Sequence, residues 1–323
     1  MSILKSRETI LGIAILLLLA IIASRFPAFI RPQNLANVFT DTSPLILLAL
    51  GQMVVILTKC IDLSVAANLA LCGMIAALMD GAGVPLIVIL PAVIALGAAL
   101  GAVNGLLVWT LGIPSIVVTL GTMTIYRGTI FLLTDGAWIN AHQMSDAFKA
   151  LPRALLLGLP VMAWIAIAAI VAFAFLLSRT PLGRAFYAVG GNPHAAVYTG
   201  ISVGRTQFWA FVIAGALAGL TGYLWVARYA VAYVDIAGGF ELDVVAACVI
   251  GGIAIAGGSG TVAGCVMGAL FLGIIKNALP VVGISPFWQM AISGSAILIA
   301  IAFNSRASRA PGRIILKQAE HRT

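Results

Sequence analysis

Charge is what this sequence most lacks. Only 9% of its residues are Asp, Glu, Lys or Arg, while 62% are hydrophobic. An average soluble chain carries roughly 25% charged residues. A water-soluble fold has no way to hide so much apolar surface, whereas in a bilayer lipid covers the outside. The phosphate-cradling GxxxxGK[ST] loop is absent, so the chain has no recognisable seat of its own for ATP. Cys60, Cys72, Cys248 and Cys265 all lie in apolar stretches and form no CxxC pair. That excludes a disulfide or zinc framework and leaves small buried hydrophobes. His142, His194 and His321 are too scattered for a metal site, and no Ser/His/Asp or Cys/His cluster stands out for nucleophilic catalysis. The chain is therefore read as a non-enzyme without a cofactor. A net charge of +8 would suggest nucleic acid in a soluble protein. Here the basic residues lie between apolar runs, where they orient membrane helices instead, and nucleic acid is not expected.

What is present is a succession of apolar runs from residue 10 to residue 303. A crossing helix needs about 20 apolar residues. On that measure the chain reads as one all-α, polytopic membrane helix bundle, a single domain over 1–323. Ten spans are expected, at 9–25, 44–58, 62–80, 85–109, 114–134, 156–178, 208–227, 241–257, 259–276 and 287–304. The breaks between the second and third, and the eighth and ninth, are nearly seamless. The first run is too long for a signal peptide and reads as an uncleaved span. With the N-terminus inside, the inner face holds Lys5, Arg7, Lys59, Arg179, Arg184, Arg205, Arg306, Arg309, Arg313, Lys317 and Arg322. The outer face then holds Arg25, Arg31, Lys149, Arg153, Arg228 and Lys276, and Arg127 falls within a span. This excess predicts both termini in the cytoplasm, with a basic tail at 305–323.

Glycines recur four apart: Gly97, Gly101 and Gly105 in the fourth span, Gly215 and Gly219 in the seventh, Gly260, Gly264 and Gly268 in the ninth. Residues four apart share a helix face, and small ones let backbones approach closely. These spans should pack inside the bundle. The fourth and ninth run in opposite directions, which hints at an inverted repeat. The run Gly258-Ser259-Gly260-Thr261 loosely resembles a dinucleotide fingerprint but lies between two apolar spans, and reads as an interhelical turn.

Ionisable groups within a bilayer are costly and face protein or water. Asp62, in Thr58-Lys59-Cys60-Ile61-Asp62-Leu63-Ser64-Val65, is the clearest. It has a structural reading, as an ion pair with Lys59 or a cap on the next helix, and a functional one, lining a translocation path. Asn68, Asn104, Thr119, Thr122 and Thr124 share that ambiguity between binding a neutral solute's hydroxyls and bonding between helices. The long inner loop 179–207 contains a short helix at about 193–199: Asn192 suits its cap, Pro193 its first turn and Gly200 its end. Such a helix is too short to be stable alone, so the bundle or a partner must hold it.

Four stretches together resemble the permease subunits of bacterial ABC sugar importers of the ribose/xylose class. They are Ile61–Val65, Thr119–Gly128, Gly190–Ala196 with Gly200-Ile201, and Val249–Gly252 through Gly257–Gly260. The resemblance implies a multi-pass protein of the bacterial inner membrane that moves a monosaccharide by alternating access. It implies a second permease subunit, identical or paralogous, an ATP-binding subunit and a periplasmic sugar-binding protein. It implies that Gly183, Arg184, Gly190, Gly191, Asn192, Pro193, Ala195, Ala196 and Gly200 couple the chain to the ATPase. The family often reads Asp-Leu-Ser-Val-Gly-Ser, where this chain has Ala66 and Ala67, and a glycine where it has Lys59-Cys60. These departures lean toward the rhamnose or autoinducer branch. A branched-chain amino acid ABC permease and an ion-gradient-driven transporter are the alternatives.

Overall fold

A computed structural model describes residues 7–281, together with 283, 288, 291, 294 and 295. The chain opens with α1 (Arg7–Arg25) and α2 (Pro32–Leu57). α2 has 26 residues, not the short 44–58 stretch expected. The polar run before Pro44 had hidden its first half. That run is tolerated because the hydroxyls of Thr40, Thr42 and Ser43 donate back to the carbonyls of Ala36, Val38 and Phe39, at 2.8, 2.6 and 2.9 Å. Their polarity is satisfied inside the helix.

α3 (Val65–Gly81), α4 (Leu86–Leu111) and α5 (Ser115–Thr134) follow close to the expected spans. The stretch after α5, unassigned from the sequence, folds as β1 (Ile139–Asn140), α6 (Asp146–Arg153), and a hairpin of β2 (Leu155–Leu156) and β3 (Leu159–Pro160). Ser145 fixes α6 to the end of α3, donating to the Asp80 carboxylate from its N–H and its hydroxyl, each at 2.7 Å. α7 (Val161–Arg179), α8 (Pro181–Gly191), α9 (Pro193–Tyr198) and α10 (Val203–Tyr229) come next. Then come β4 (Val231–Ala232), antiparallel to β1, α11 (Phe240–Ile250) and α12 (Val262–Val281).

Seven of these helices are long and apolar enough to cross a membrane: α1, α2, α4, α5, α7, α10 and α12. The eighth expected span, 241–257, is not one helix. α11 stops after 11 residues, about 16 Å at 1.5 Å per residue. Gly252, Gly257 and Gly258 have φ of 84°, 82° and 73°, left-handed conformations that end a helix. The stretch stays apolar, so hydropathy reads straight through it. The nearly seamless breaks expected between the second and third spans and between the eighth and ninth are in fact irregular segments, 58–64 and 251–261. Gly260 lies in the second of them, ahead of α12. The tenth span at 287–304 falls almost wholly outside the described residues, as does the tail 305–323.

α2 is the centre of the bundle, buried over most of its length. Close glycine packing joins α4 to α10: a Cβ on Gly97 would overlap Gly215 O, and one on Gly101 would overlap Phe211 O. Gly73 and Gly222 bring α3 against α10 in the same way, and Gly251 and Gly264 bring the end of α11 against α12. The pairs α4·α10 and α12·α2, α3·α4 and α11·α12, and α3·α10 and α11·α2 are all in contact. Exchanging α2 with α10, α3 with α11 and α4 with α12 maps each pair onto the other. This is an internal correspondence of contacts. The glycine match behind the hinted inverted repeat does not follow it: Gly264 and Gly268 face α11, whereas the exchange would turn them toward α2.

Basic residues stand at both ends of the bundle. One end has Lys59, Arg184 and Arg205 around α8 and α9. The other holds the Arg228–Asp41 pair at 2.6 Å, the Lys276–Asp243 pair, and Arg153, which donates to Arg228 O at 2.6 Å. Near that second end Arg127 donates to Val234 O and Ile236 O at 2.6 and 2.7 Å.

Candidate coupling junction

The four sequence stretches converge on the seven-residue segment 58–64 between α2 and α3. Its backbone is bonded on every side. Leu57 O, at the end of α2, accepts from Gly258 N at 3.0 Å. Gln207 at the base of α10 donates to Thr58 O at 3.2 Å. Ile61 N donates to Ser115 Oγ at 3.0 Å, and Thr119 Oγ1 donates to Ile61 O at 3.4 Å, both from α5. The buried Gln52 amide, turned so that both its ends are satisfied, donates to Asp62 O and accepts from Asp62 N, each at 3.1 Å. Irregular backbone at membrane depth persists only where protein satisfies it.

Asp62 does not pair with Lys59. Lys59 is exposed and left-handed, with φ of 66°. The Asp62 carboxylate instead accepts from Ser64 N at 2.8 Å and from the Ser64 hydroxyl at 2.6 Å. This is a turn ahead of α3, of the kind Asp makes with backbone two residues on. Asn104 of α4 donates to Ser64 Oγ at 2.8 Å. Asn68 donates to Gly97 O at 3.2 Å. Thr119 and Thr122 are buried on α5, while Thr124 is exposed there and donates back to Leu120 O at 3.2 Å. Asp62, Asn104 and Thr119 thus meet around segment 58–64; Asn68, Thr122 and Thr124 lie farther along their helices.

α9 forms where its cap, proline and glycine place it, whereas the loop expected before it is itself a helix, α8. Thr180 caps α8, accepting from Gly183 N at 3.0 Å. Asn192 caps α9, accepting from Ala195 N at 3.1 Å, with Pro193 in the first turn. Gly200, with φ of 82°, ends α9. The expected coupling residues divide into two groups. Gly183, Gly190 and Ala196 are buried, whereas Arg184, Gly191, Asn192 and Ala195 are exposed. A Cβ on Gly183 would overlap Leu176 O, and one on Gly190 would overlap Leu57 O and Gly258 N; Gly191 has open space around it. Tyr187 ties α8 to the 251–261 segment, donating to Gly260 O at 2.9 Å, and burial pushes its phenol pKa up. Val197 and Tyr198 of α9 stand out from the bundle, 60% and 91% exposed. Beside them lies a groove of about 410 Å³ lined by Leu182, Ala185, Ile201, Arg205 and Trp209. The sequence reading missed Gln52, Ser115, Tyr187 and Gln207. No local motif marks them, because each acts on backbone distant in sequence.

The arrangement is a seat, formed by Leu57 and Gly258, against which Gly190 of an exposed two-helix corner is packed. The chain belongs to the family described as branched-chain amino acid transport system / permease component, whose model matches residues 34–301. It is 38% identical over 312 residues to the autoinducer 2 import system permease protein LsrC of Klebsiella pneumoniae subsp. pneumoniae, covering 97% of this chain and 90% of that one. It is 38% identical over 296 residues to the ribose import permease protein RbsC of Escherichia coli K12, covering 91% of this chain and 92% of that one. The RbsC of Haemophilus influenzae is 36% identical over 291 residues, 90% of each chain. No solved structure matches. The protein is a multi-pass inner-membrane permease subunit.

Proposed function

We propose that this chain is the membrane-spanning subunit of an ATP-driven importer whose cargo is a monosaccharide or a similar small polyhydroxylated solute. Relatives named for ribose and for autoinducer 2 match it equally well, at 38% identity, so the proposal commits to the solute class. ATP is hydrolysed on a separate subunit, which docks on α9 and its neighbouring groove from the cytoplasm. A periplasmic binding protein delivers the solute to the opposite end, and a second permease subunit completes the pathway. In this orientation the α8–α9 end, with the N-terminus and the tail 305–323, faces the cytoplasm. Asp62, Asn68, Asn104, Thr119, Thr122 and Thr124 remain the proposed polar residues along the path.

The observation that carries this reading is the division at α8–α9. Gly190 is seated without room for a methyl group, while the next residues project as an exposed corner. A partner that moves the corner therefore moves the seat. Two global states that bind the partner differently are what coupling requires.

The test is gentle affinity purification from the native membrane with mass spectrometry of what accompanies the protein, joined to an uptake assay. An accompanying ATPase, with uptake inhibited by monosaccharides but not by leucine, is the expected result. Inhibition by leucine alone would move the cargo to branched-chain amino acids. Uptake abolished by an uncoupler yet insensitive to ATP depletion would overturn the ATP-driven reading.

A further inference from the structure

Among the described residues, a carboxyl without a counter-charge and a buried amide oxygen without a donor lie in the same place. Asp62 is only 2% exposed, and no Lys or Arg among the described residues lies within ion-pair distance of it. Both of its protein hydrogen bonds, from Ser64 N and Ser64 Oγ, fall on Oδ1. Asn104, fully buried on α4, gives its amide N–H to the same Ser64 hydroxyl, at 2.8 Å, and its Oδ1 accepts from nothing among the described residues. One hydroxyl thus joins a carboxyl without a counter-charge to an amide oxygen without a donor.

Other groups facing this spot offer no remedy. α2 presents the uncharged Gln52, and α10 presents Gln207 to the neighbouring Thr58. Cys72 on α3 gives its thiol to Asn68 Oδ1 at 3.2 Å. Tyr126 on α5 donates to Leu100 O at 2.9 Å, and Arg127 is committed to Val234 O and Ile236 O. On the segment itself Cys60 is buried and Lys59 is exposed. An isolated ionised carboxylate so placed is costly enough that the group neutralises instead, and an orphaned buried acceptor carries its own desolvation penalty.

We infer that Asp62 is held as the neutral acid, and that its O–H supplies the donor the Asp62–Ser64–Asn104 cluster lacks. Asp62 is then a positioning residue. The protonated carboxyl, bridged by Ser64, clamps segment 58–64 to α4 and so sets where Leu57 presents the seat for Gly190 and Gly258. The clamp joins the α8–α9 corner to the α4·α10 glycine contact without any charge being buried. The proton is retained, and nothing is transferred in the step.

Infrared spectroscopy of the full-length protein in lipid bilayers at neutral pH tests this, with and without carbon-13 aspartate. The sequence has seven aspartates. Asp41, Asp146 and Asp243 are ion-paired, Asp135 and Asp235 are exposed, and the part-exposed Asp80 accepts from Ser145. The expected result is a carbonyl band of a protonated carboxylic acid that shifts with the label, moves in Asn104→Ala and is lost in Asp62→Asn. An amide N–H replaces the acid O–H in Asp62→Asn, so hydrogen exchange across 58–64 stays within about fivefold of wild type, whereas in Asp62→Ala it rises about tenfold or more. Absence of a label-sensitive band in the wild-type protein overturns the inference, whichever variants fold. An equal rise of exchange across 58–64 in Asp62→Asn and Asp62→Ala, with both present in the membrane, overturns the positioning role. The spectrum needs no partner or cargo, so it reads independently of the proposed function.

Discussion

Leu57 O accepts the N–H of Gly258 at 3.0 Å, and Gly190 sits against both residues with no space for a side chain. This contact joins the end of α2 to the irregular segment that follows α11, and α8 rests on the joint. Gly190→Ala should therefore cost the protein about 1–3 kcal/mol, the usual range for overpacking a tight site. Gly191→Ala, in open space, should cost far less. Thermal unfolding of the two purified variants in one detergent compares them. Equal midpoints would show that the seat is not tight.

Because Gly191 is exposed and unencumbered, Gly191→Glu should leave the fold intact and act on coupling alone. The expected outcome is uptake reduced by roughly 5- to 150-fold, the span of ordinary coupling energies, at unchanged membrane abundance. Uptake and ATP hydrolysis are measured together in the reconstituted assembly. Normal uptake with normal stimulation of hydrolysis would remove α8–α9 from the coupling path.

Glycine matters on one face of α4 and not on the exposed face of α5. A Cβ on Gly101 meets the Phe211 carbonyl, whereas one on Gly121 meets nothing within 4 Å. Gly101→Val should separate α4 from α10 and lower the yield of folded protein, with a penalty of about 1–3 kcal/mol or more. Gly121→Val should fold normally. Size-exclusion profiles and thermal midpoints of the two distinguish the outcomes.

Arg127 secures the segment between β4 and α11 through two carbonyls. Hydrogen bonds from a charged donor contribute roughly 1.5–3 kcal/mol each. Arg127→Ala should therefore raise hydrogen exchange at 233–239 well above that of the helices. A point ammonium lacks the guanidinium fork, so Arg127→Lys should recover only part of the protection. Unchanged exchange in Arg127→Ala would mean that the β1·β4 pairing holds this segment unaided.

Several elements were legible because each rests on local chemistry. Asn192, Pro193 and Gly200 mark the limits of α9 by their own side-chain and backbone preferences. Gly97, Gly101, Gly215 and Gly219 announce close packing by their spacing, and they meet one another. Composition and backbone part company at two places. The polar run Thr40–Ser43 makes α2 look shorter than it is, because its hydroxyls bond back within the helix. The stretch Gly251–Gly258 makes α11 look longer than it is, because it is as apolar as a helix while three of its glycines are left-handed.

By itself the sequence determined that the chain is a membrane helix bundle, where most spans lie and where the short helix α9 begins and ends. Hydropathy and capping act over a few residues and need no distant partner. Only the tertiary structure decided that Asp62 turns to Ser64 rather than to Lys59, that Gly190 is a seat while Gly191 is a surface, and that Gln52, Ser115 and Gln207 hold one irregular segment in place. Those outcomes depend on which backbone polar groups the surrounding helices leave unsatisfied in a solvent that offers them no water. That balance exists only once the helices are packed.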